Sequence, residues 1–249
     1  MKRWIACMMG AILLFTGCSA AGTETASSEE VIRESEVQEP VSEEVQTEQN
    51  GPKLTYIGHA AIQITASDGR VILIDPSVST YQDYPAGADF ILVTHGHEDH
   101  KPYYKIKLKE GGVKITHNEA LVNGEYQRWE YDGIIIEAVP AGGNEGHPLG
   151  YGVGYLVTVD GICVYHAGDT SDVEELHALA DKEIDYAFYP IDGQFNMDAV
   201  EATGLANIIG ATNNIPMHMN NAPGEDKSVN FTPEGRKVLQ EEETIILTK

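Results

Sequence analysis

The chain has 249 residues, of which 42% are hydrophobic and 22% are charged, so it can form one large or two small domains with a buried core. Its formal net charge is −23, and residues 53–249 alone carry −17, from 13 basic and 30 acidic side chains. Because such an acidic surface repels polyanions, these numbers exclude nucleic acid as a partner and leave a small-molecule substrate as the expectation.

The first 18 residues predict a lipoprotein signal peptide. Lys2 and Arg3 give a positive start, and the apolar run 5–15 is shorter than the roughly 20 residues that a membrane-spanning helix needs. The ending 14–19 resembles a bacterial lipobox, in which the cysteine, here Cys18, becomes the lipidated first residue. We therefore expect an exported protein that is anchored to the bacterial cell membrane through Cys18, with its domain on the extracytoplasmic side. The alternative is cleavage as a plain secreted protein.

Residues 19–52 predict a disordered, acidic tether. They contain nine glutamates against one arginine, and they have no aromatic residue. Such a segment cannot bury enough apolar surface to offset the entropy of ordering it. A short helix is the alternative, because valine and isoleucine recur. Beyond the tether, Cys163 has no partner left for a disulfide, and we expect it to be a small buried residue.

Residues 53–249 predict one α/β domain of sheets covered by helices. Short β-type runs occur at 54–57, 61–65, 71–74, 90–94, 134–139, 154–159, 162–165 and 244–247. Helical patterns occur at 173–180, 198–208 and 233–240. Ser171 or Asp172 would cap the first helix, and Thr232 precedes the proline that starts the third. The segments 77–89, 101–112 and 219–230 are expected to form the rim of a site.

A cluster of potential metal ligands directly follows the predicted strand 90–94. His95, His97, Asp99 and His100 lie within six residues, which packing does not explain. Histidine and carboxylate together suit zinc, manganese or iron better than magnesium or calcium. Residues two apart on an extended segment point the same way, so His95 and His97 can hold one ion. Asp99 and His100 lie past a bend and can reach a second.

This run matches the His-x-His-x-Asp-His signature, and the chain resembles the metallo-β-lactamase superfamily. Further segments fall in the order of the branch that includes ascorbate-6-phosphate lactonase-like proteins, namely 56–60, 72–76, 147–150, 152–155, 165–170, 190–193, 197–199 and 215–218. The resemblance covers residues 53–249. It implies the four-layer αβ/βα sandwich of that fold.

The resemblance also implies seven ligands for two divalent transition-metal ions, expected to be zinc, with manganese and iron as alternatives. The first ion would take His95, His97 and His147, the second Asp99, His100 and His218, and Asp169 would bridge them. His59 would orient a ligand, contact substrate or be structural. His166 would either point away from Asp169 or donate a supporting hydrogen bond. His117 and His177 are expected on the surface or in loops.

Hydrolysis is the chemistry that two such ions favour. A shared hydroxide would attack a small ester, lactone, amide or phosphodiester, and Asp99 is the expected catalytic residue, accepting or orienting the proton. One alternative is an iron-dependent oxidoreductase, although Asp99, His100 and His218 argue against a single-iron site. Another is a non-catalytic, metal-bearing surface protein, although a structural site needs only four ligands. Neither a Gly-x-Ser-x-Gly motif nor an obvious reactive cysteine offers another nucleophile.

Overall fold

The computed structural model describes residues 51–77, 87–102 and 106–249, and all of these belong to the same unit of the chain. The predicted signal peptide and nearly all of the predicted tether lie outside the described residues. A search of the described residues for a helix with the length and apolarity of a membrane span found none.

Strands dominate the described part of the chain, and the helices are short. The strands are β1 (Lys53–Gly58), β2 (Ala61–Thr65), β3 (Val71–Ile74), β4 (Ala88–Val93), β5 (Leu108–Thr116), β6 (Leu121–Val122), β7 (Glu125–Tyr126), β8 (Arg128–Tyr131), β9 (Ile134–Ala141), β10 (Gly152–Val159), β11 (Ile162–His166), β12 (Tyr186–Pro190), β13 (Asn213–Met217) and β14 (Glu243–Ile246). The α-helices are α1 (His117–Ala120), α2 (Glu174–His177) and α3 (Ala199–Ile209), with 3₁₀ turns at Ala178–Asp181 and Lys227–Asn230.

Within the described residues the strands form two six-stranded sheets and a small hairpin of β6 and β7. The first sheet has the order β14-β1-β2-β3-β4-β5, and the second has the order β13-β12-β11-β10-β9-β8. In each sheet a meander of antiparallel strands leads into two parallel pairs, β3–β4–β5 and β11–β12–β13. The two sheets therefore repeat one pairing scheme.

The core lies where side chains of both sheets meet. Ile72 and Ile74 of β3 belong to the same buried cluster as Val153 and Tyr155 of β10. The alternate residues of β3 face the other way and join a smaller buried cluster that includes Leu73 and residues of β4. Because β3 is buried on both faces, its sequence is wholly apolar, as is typical of strands with parallel neighbours.

Most predicted elements are confirmed to within a few residues, and α3 starts at the predicted Asp198, whose side chain caps it. The sequence did not reveal the strands β5, β6, β7, β8, β12 and β13 or the short helix α1. The first half of β5 is polar, glycine-containing and exposed, and both β12 and β13 contain a proline. Of the predicted rim segments, residues 108–112 belong to the strand β5, and residues 78–86 and 103–105 lie outside the described residues.

The predicted helix at 233–240 is also wrong. Gly235 has φ +65, and a Cβ there would lie 2.2 Å from the Thr212 carbonyl oxygen. The Asn214 amide donates to the Gly235 carbonyl at 2.9 Å, and the Lys237 amide donates to Asn214 at 2.8 Å. The backbone N–H and C=O groups that a helix would use are therefore hydrogen-bonded to β13. The helix predicted at 173–180 is an α-helical turn followed by a 3₁₀ turn, and its N-cap is Val173 rather than Ser171 or Asp172.

Candidate metal centre

Polar residues collect where the parallel strands of both sheets end. Asp75 follows β3, His95 follows β4 by one residue, Asp169 and Asp192 come shortly after β11 and β12, and His218 directly follows β13. The carboxyl ends of parallel strands meet at one edge of a sheet, which is where such folds place their ligands. The fold therefore gathers residues that lie more than 100 positions apart in sequence.

The structure brings six of the seven predicted ligands together in two groups and places the seventh, Asp169, between them. We call His95, His97 and His147 the first group, because their ligand atoms lie within 4.8 Å of one another. We call Asp99, His100 and His218 the second group, which meets the same limit and also includes His59.

Asp169 lies between the two groups. Its Oδ2 atom is 3.3 Å from His147 Nε2 and 3.9 Å from His95 Nε2 on the side of the first group. Its Oδ1 atom is 3.2 Å from His100 Nε2, and Oδ2 is 3.6 Å from His218 Nε2. One carboxylate thus reaches both groups, as the predicted bridging role requires.

The donor atoms fit metal ions and have little else to bind. His95 Nε2, His100 Nε2, His218 Nε2 and Asp169 Oδ1 are buried, and none of these four atoms has a hydrogen-bond partner. A buried polar atom without a partner costs about 1–3 kcal/mol, so four converging at one place need an explanation. Imidazole nitrogens with carboxylate oxygens are a donor set of zinc, manganese and iron, and the residues present therefore fit such ions.

Two buried carboxylates that the sequence reasoning did not assign hold the second group. His100 Nδ1 donates to Asp75 Oδ2 at 2.8 Å, and His218 Nδ1 lies 3.2 Å from Asp192 Oδ2. A histidine that donates through Nδ1 keeps Nε2 free as a ligand, and its ring is fixed in orientation. The one sequence feature that marks Asp75 is its position directly after the apolar run 72–74.

The first group has neutral partners instead. His147 Nδ1 lies 3.2 Å from Asn144 Oδ1, and His95 Nδ1 lies 3.1 Å from the Thr94 hydroxyl. The Thr94 hydroxyl in turn donates to Asp75 at 2.6 Å. Asp75 therefore touches both groups, directly through His100 and indirectly through His95.

The loop before His147 is folded tightly around that residue. The His147 amide donates to Asn144 Oδ1 at 2.8 Å, and its carbonyl accepts from Gly143 at 2.7 Å. Gly142 has φ +114, and a Cβ there would lie 2.6 Å from the His147 carbonyl oxygen. The glycines of this loop are therefore required by the close approach of the backbone.

Burial and neighbouring charges give the histidines of the site different pKa values. Burial lowers the pKa of His95 to about 3, so this ring is neutral at physiological pH. Burial also lowers the pKa of His218, but the carboxylates of Asp192 and Asp99 beside its ring raise it by more, to about 9. The pKa of His100 is likewise raised well above its usual value, against the effect of burial, by Asp75 and Asp169.

The carboxylates of the site are ionised. Burial raises the pKa of Asp169, but the surrounding histidines, His100 foremost, lower it by more, so that it lies well below its usual range. The neighbouring rings of His218 and His59 hold the pKa of Asp99 far below the ordinary aspartate value. Asp99 in the second group and Asp169 between the groups therefore present negative oxygens to a cation.

His59 belongs to the site, whereas His166 supports it from outside. His59 Nε2 lies 3.1 Å from Asp99 Oδ2, and its ring centroid is 3.8 Å from that of His218. His166 Nε2 donates to the Ala60 carbonyl at 2.7 Å, and its Nδ1 accepts from the Gly168 amide, so it braces the turn that leads to Asp169.

The two remaining histidines belong to neither group. His117 begins α1 and is partly buried, and His177 is bound to Asp172 on the surface at 2.7 Å.

Three residues at the strand ends have left-handed backbones without being glycine. The φ angles are +51 at His59, +47 at Asp75 and +50 at His218. A single hydrogen bond from the His218 amide to the His59 carbonyl, 2.8 Å long, joins two of these turns. Such conformations are strained and cluster at functional sites.

Comparison with known proteins gave consistent matches. A family model described as "Beta-lactamase superfamily domain" matches residues 53–218. The UPF0173 metal-dependent hydrolase of Pyrococcus furiosus is 33% identical over 195 residues, which cover 69% of this chain and 86% of that protein.

Two solved structures show the same architecture. A candidate metal-dependent hydrolase from Parabacteroides distasonis superposes with a TM-score of 0.64 at 28% identity, over 77% of this chain and 94% of that chain. CmlA, a diiron β-hydroxylase from Streptomyces venezuelae, superposes with a TM-score of 0.58 at 14% identity, over 79% and 54%. At that identity CmlA shows the fold alone. These matches confirm the predicted layered α/β fold.

Proposed function

Because the chain belongs to the metallo-β-lactamase superfamily and is a metal-dependent hydrolase, we propose that it uses two divalent transition-metal ions to hydrolyse a small ester, lactone or phosphodiester. The observation that carries this proposal is the position of Asp169, whose two oxygens face the two groups. Zinc is the ion we favour. Manganese and iron are the alternatives, because they also bind imidazole nitrogens and carboxylate oxygens.

The chain's own residues then have distinct tasks. Two ions bound at these groups would lower the pKa of a shared water towards neutrality and polarise the bond to be cleaved. Asp99 is the exposed member of the set, with 45% of its side chain accessible, whereas His100, His218 and Asp169 are buried. Since Asp99 is ionised, it can accept or orient the proton of the attacking water, and the hydrogen bond from His59 fixes its carboxylate.

The alternatives have weaker support. An oxidoreductase with iron at the same groups is represented by CmlA, which shares only the fold. The relative with 33% identity carries the name of a hydrolase. A non-catalytic metal protein would not need seven converging ligands, nor one of them exposed to solvent.

Metal analysis of the purified full chain tests the number of ions. We expect close to two zinc or manganese ions per chain at saturation. Asp169→Ala should lower occupancy of both sites, and His218→Ala should lower mainly the second. His177→Ala is the matched control, because His177 lies on the surface outside both groups, and it should retain two ions. A stoichiometry of one at saturation in the unaltered protein would refute the dinuclear proposal.

Asp99→Asn separates catalysis from metal binding. The amide keeps the size and one coordinating oxygen but cannot accept the proton, so turnover should fall by about 10²- to 10⁴-fold while metal content falls much less. Full recovery of the rate with added zinc or manganese would show that Asp99 is only a ligand.

A further inference from the structure

Two large aromatic residues remain exposed, one beside the first group and one next to a residue that supports the second group. Tyr151 is 38% exposed and Phe195 is 52% exposed, and we call these two residues the aromatic rim. Single exposed apolar residues are common on protein surfaces and need no explanation. The aromatic rim differs because the backbones of both residues are fixed next to the metal ligands.

Tyr151 faces the whole first group. Its ring centroid lies 5.5 Å from that of His97, 6.1 Å from His95 and 6.3 Å from His147. The Tyr151 amide donates to the Pro148 carbonyl at 2.9 Å, which closes the turn after His147 and fixes the backbone from which the ring projects.

Phe195 is held next to the second group. Its amide donates to Asp192 Oδ1 at 2.6 Å, and the other oxygen of Asp192 contacts His218. The backbone of Phe195 is therefore tied to the carboxylate that supports a ligand of the second group, while the residue stays half exposed.

In the described part of the chain, the two lysines near the site are already paired and do not favour an anionic substrate. Lys101, next to His100, is paired with Glu98. Lys227 Nζ donates to the carbonyls of Asp192 and Asn220 at 2.8 and 3.2 Å. Both ammonium groups already have partners, and the net charge of residues 53–249 repels anions.

We infer that the aromatic rim binds an uncharged acyl chain or aryl group, so that the substrate is a carboxylic ester or lactone with an apolar substituent and not a phosphodiester. This inference rests on the proposed function. Hydrolysis adds one water: its oxygen bonds to the carbonyl carbon, the acyl C–O bond breaks, and the leaving oxygen takes a proton. The products are an alcohol and a carboxylic acid, which ionises; for a lactone both groups stay on one molecule. Apolar and aromatic side chains combined with a few polar groups are the usual lining of small-molecule sites.

Binding and hydrolysis together test the inference on the zinc-loaded full chain. Acetate, octanoate and dimethyl phosphate are titrated as product-like probes, and p-nitrophenyl acetate and octanoate as substrates. We expect octanoate to bind at least tenfold more tightly than acetate or dimethyl phosphate. The kcat/KM should rise with acyl length by up to about fourfold for each methylene that is buried.

Variants of the aromatic rim locate the effect. Tyr151→Ala and Phe195→Ala should each reduce the ratio of kcat/KM for octanoate to that for acetate severalfold, mainly through the KM of octanoate. Tyr151→Phe should keep the preference, because it retains the ring. Ile208→Ala is the matched control: Ile208 is 42% exposed on α3 but lies near the helix end away from the ligands.

The outcomes separate this inference from the proposed function. Equal binding of acetate and octanoate, or tighter binding of dimethyl phosphate, overturns the inference even if esters are hydrolysed. An unchanged octanoate preference in both alanine variants also overturns it. If octanoate binds preferentially through the aromatic rim but a chain with two bound ions hydrolyses no ester, the hydrolysis part of the proposed function fails while the ligand class stands.

Discussion

Asp75→Asn tests whether a buried carboxylate outside the ligand set controls metal affinity. Asp75 is fully buried, and it accepts hydrogen bonds from the Thr94 amide at 2.8 Å, the Thr94 hydroxyl at 2.6 Å and His100 Nδ1 at 2.8 Å. Burial raises its pKa, but His100 lowers it by more, so the carboxylate is ionised. Asparagine removes the charge and offers only one acceptor oxygen.

The expected magnitude follows from the three hydrogen bonds. Whichever way the amide of the new residue is placed, its NH₂ group faces either the Thr94 amide or His100 Nδ1–H. A buried donor left without an acceptor costs about 1–3 kcal/mol, and we expect a loss of unfolding free energy in that range. Loss of a partner behind a ligating histidine weakens metal binding by about 10- to 100-fold, and here the second site should be affected most.

Competition with a chromophoric chelator measures affinity in the full chain, and denaturant unfolding of chelator-treated protein measures stability. Asp89→Asn is the matched control, because Asp89 accepts from the Val71 amide at 2.7 Å and from Lys109 at 2.6 Å in the same sheet. It should change stability but leave metal affinity within about threefold. A folded Asp75→Asn protein with unaltered affinity at both sites would refute the reasoning.

Gly142→Ala should displace His147 and weaken metal binding at the first site at least tenfold in the chelator assay. Gly161→Ala is the control, because a Cβ there meets nothing within 4 Å, and it should cost only about 1–2 kcal/mol of backbone strain. Equal effects of the two substitutions on metal binding would contradict the steric argument. Burial raises the pKa of the Cys163 thiol to about 11, so it stays protonated at pH 8 and should react with a thiol reagent far more slowly than after unfolding. Rapid labelling of the native protein at pH 8 would disprove this. Cys18→Ser should release the protein from the membrane fraction, and finding the unaltered chain in the cytosol would refute the anchor.

The sequence was informative where the chemistry is local. His95, His97, Asp99 and His100 lie in one short run after a strand, so the chain itself shows them as a group. The more distant ligands were assigned only through the resemblance to a known family. The contact between Asp75 and His100 spans 25 positions, and an aspartate after a strand is common in turns. Its role was therefore visible only in three dimensions.

The errors in the fold have the same origin. The segment 233–240 has a helical pattern and a favourable start, but its backbone forms hydrogen bonds with β13 instead. Nothing in the neighbouring sequence indicates this pairing. Local propensity is a weak prior when tertiary pairing competes with it. In β5 the opposite happened, because an exposed, charged and glycine-containing segment is held as a strand by β4 alone.

The left-handed backbones of His59, Asp75 and His218 have a consequence for any attempt to make this enzyme more robust. Each of these conformations costs about 1–3 kcal/mol in a residue other than glycine. Glycine at any of the three would relieve the strain, so a library screened only for heat resistance would enrich such changes. Every one of them would remove a side chain from the metal centre. Robust variants of this protein have to be selected with metal retention as a second criterion.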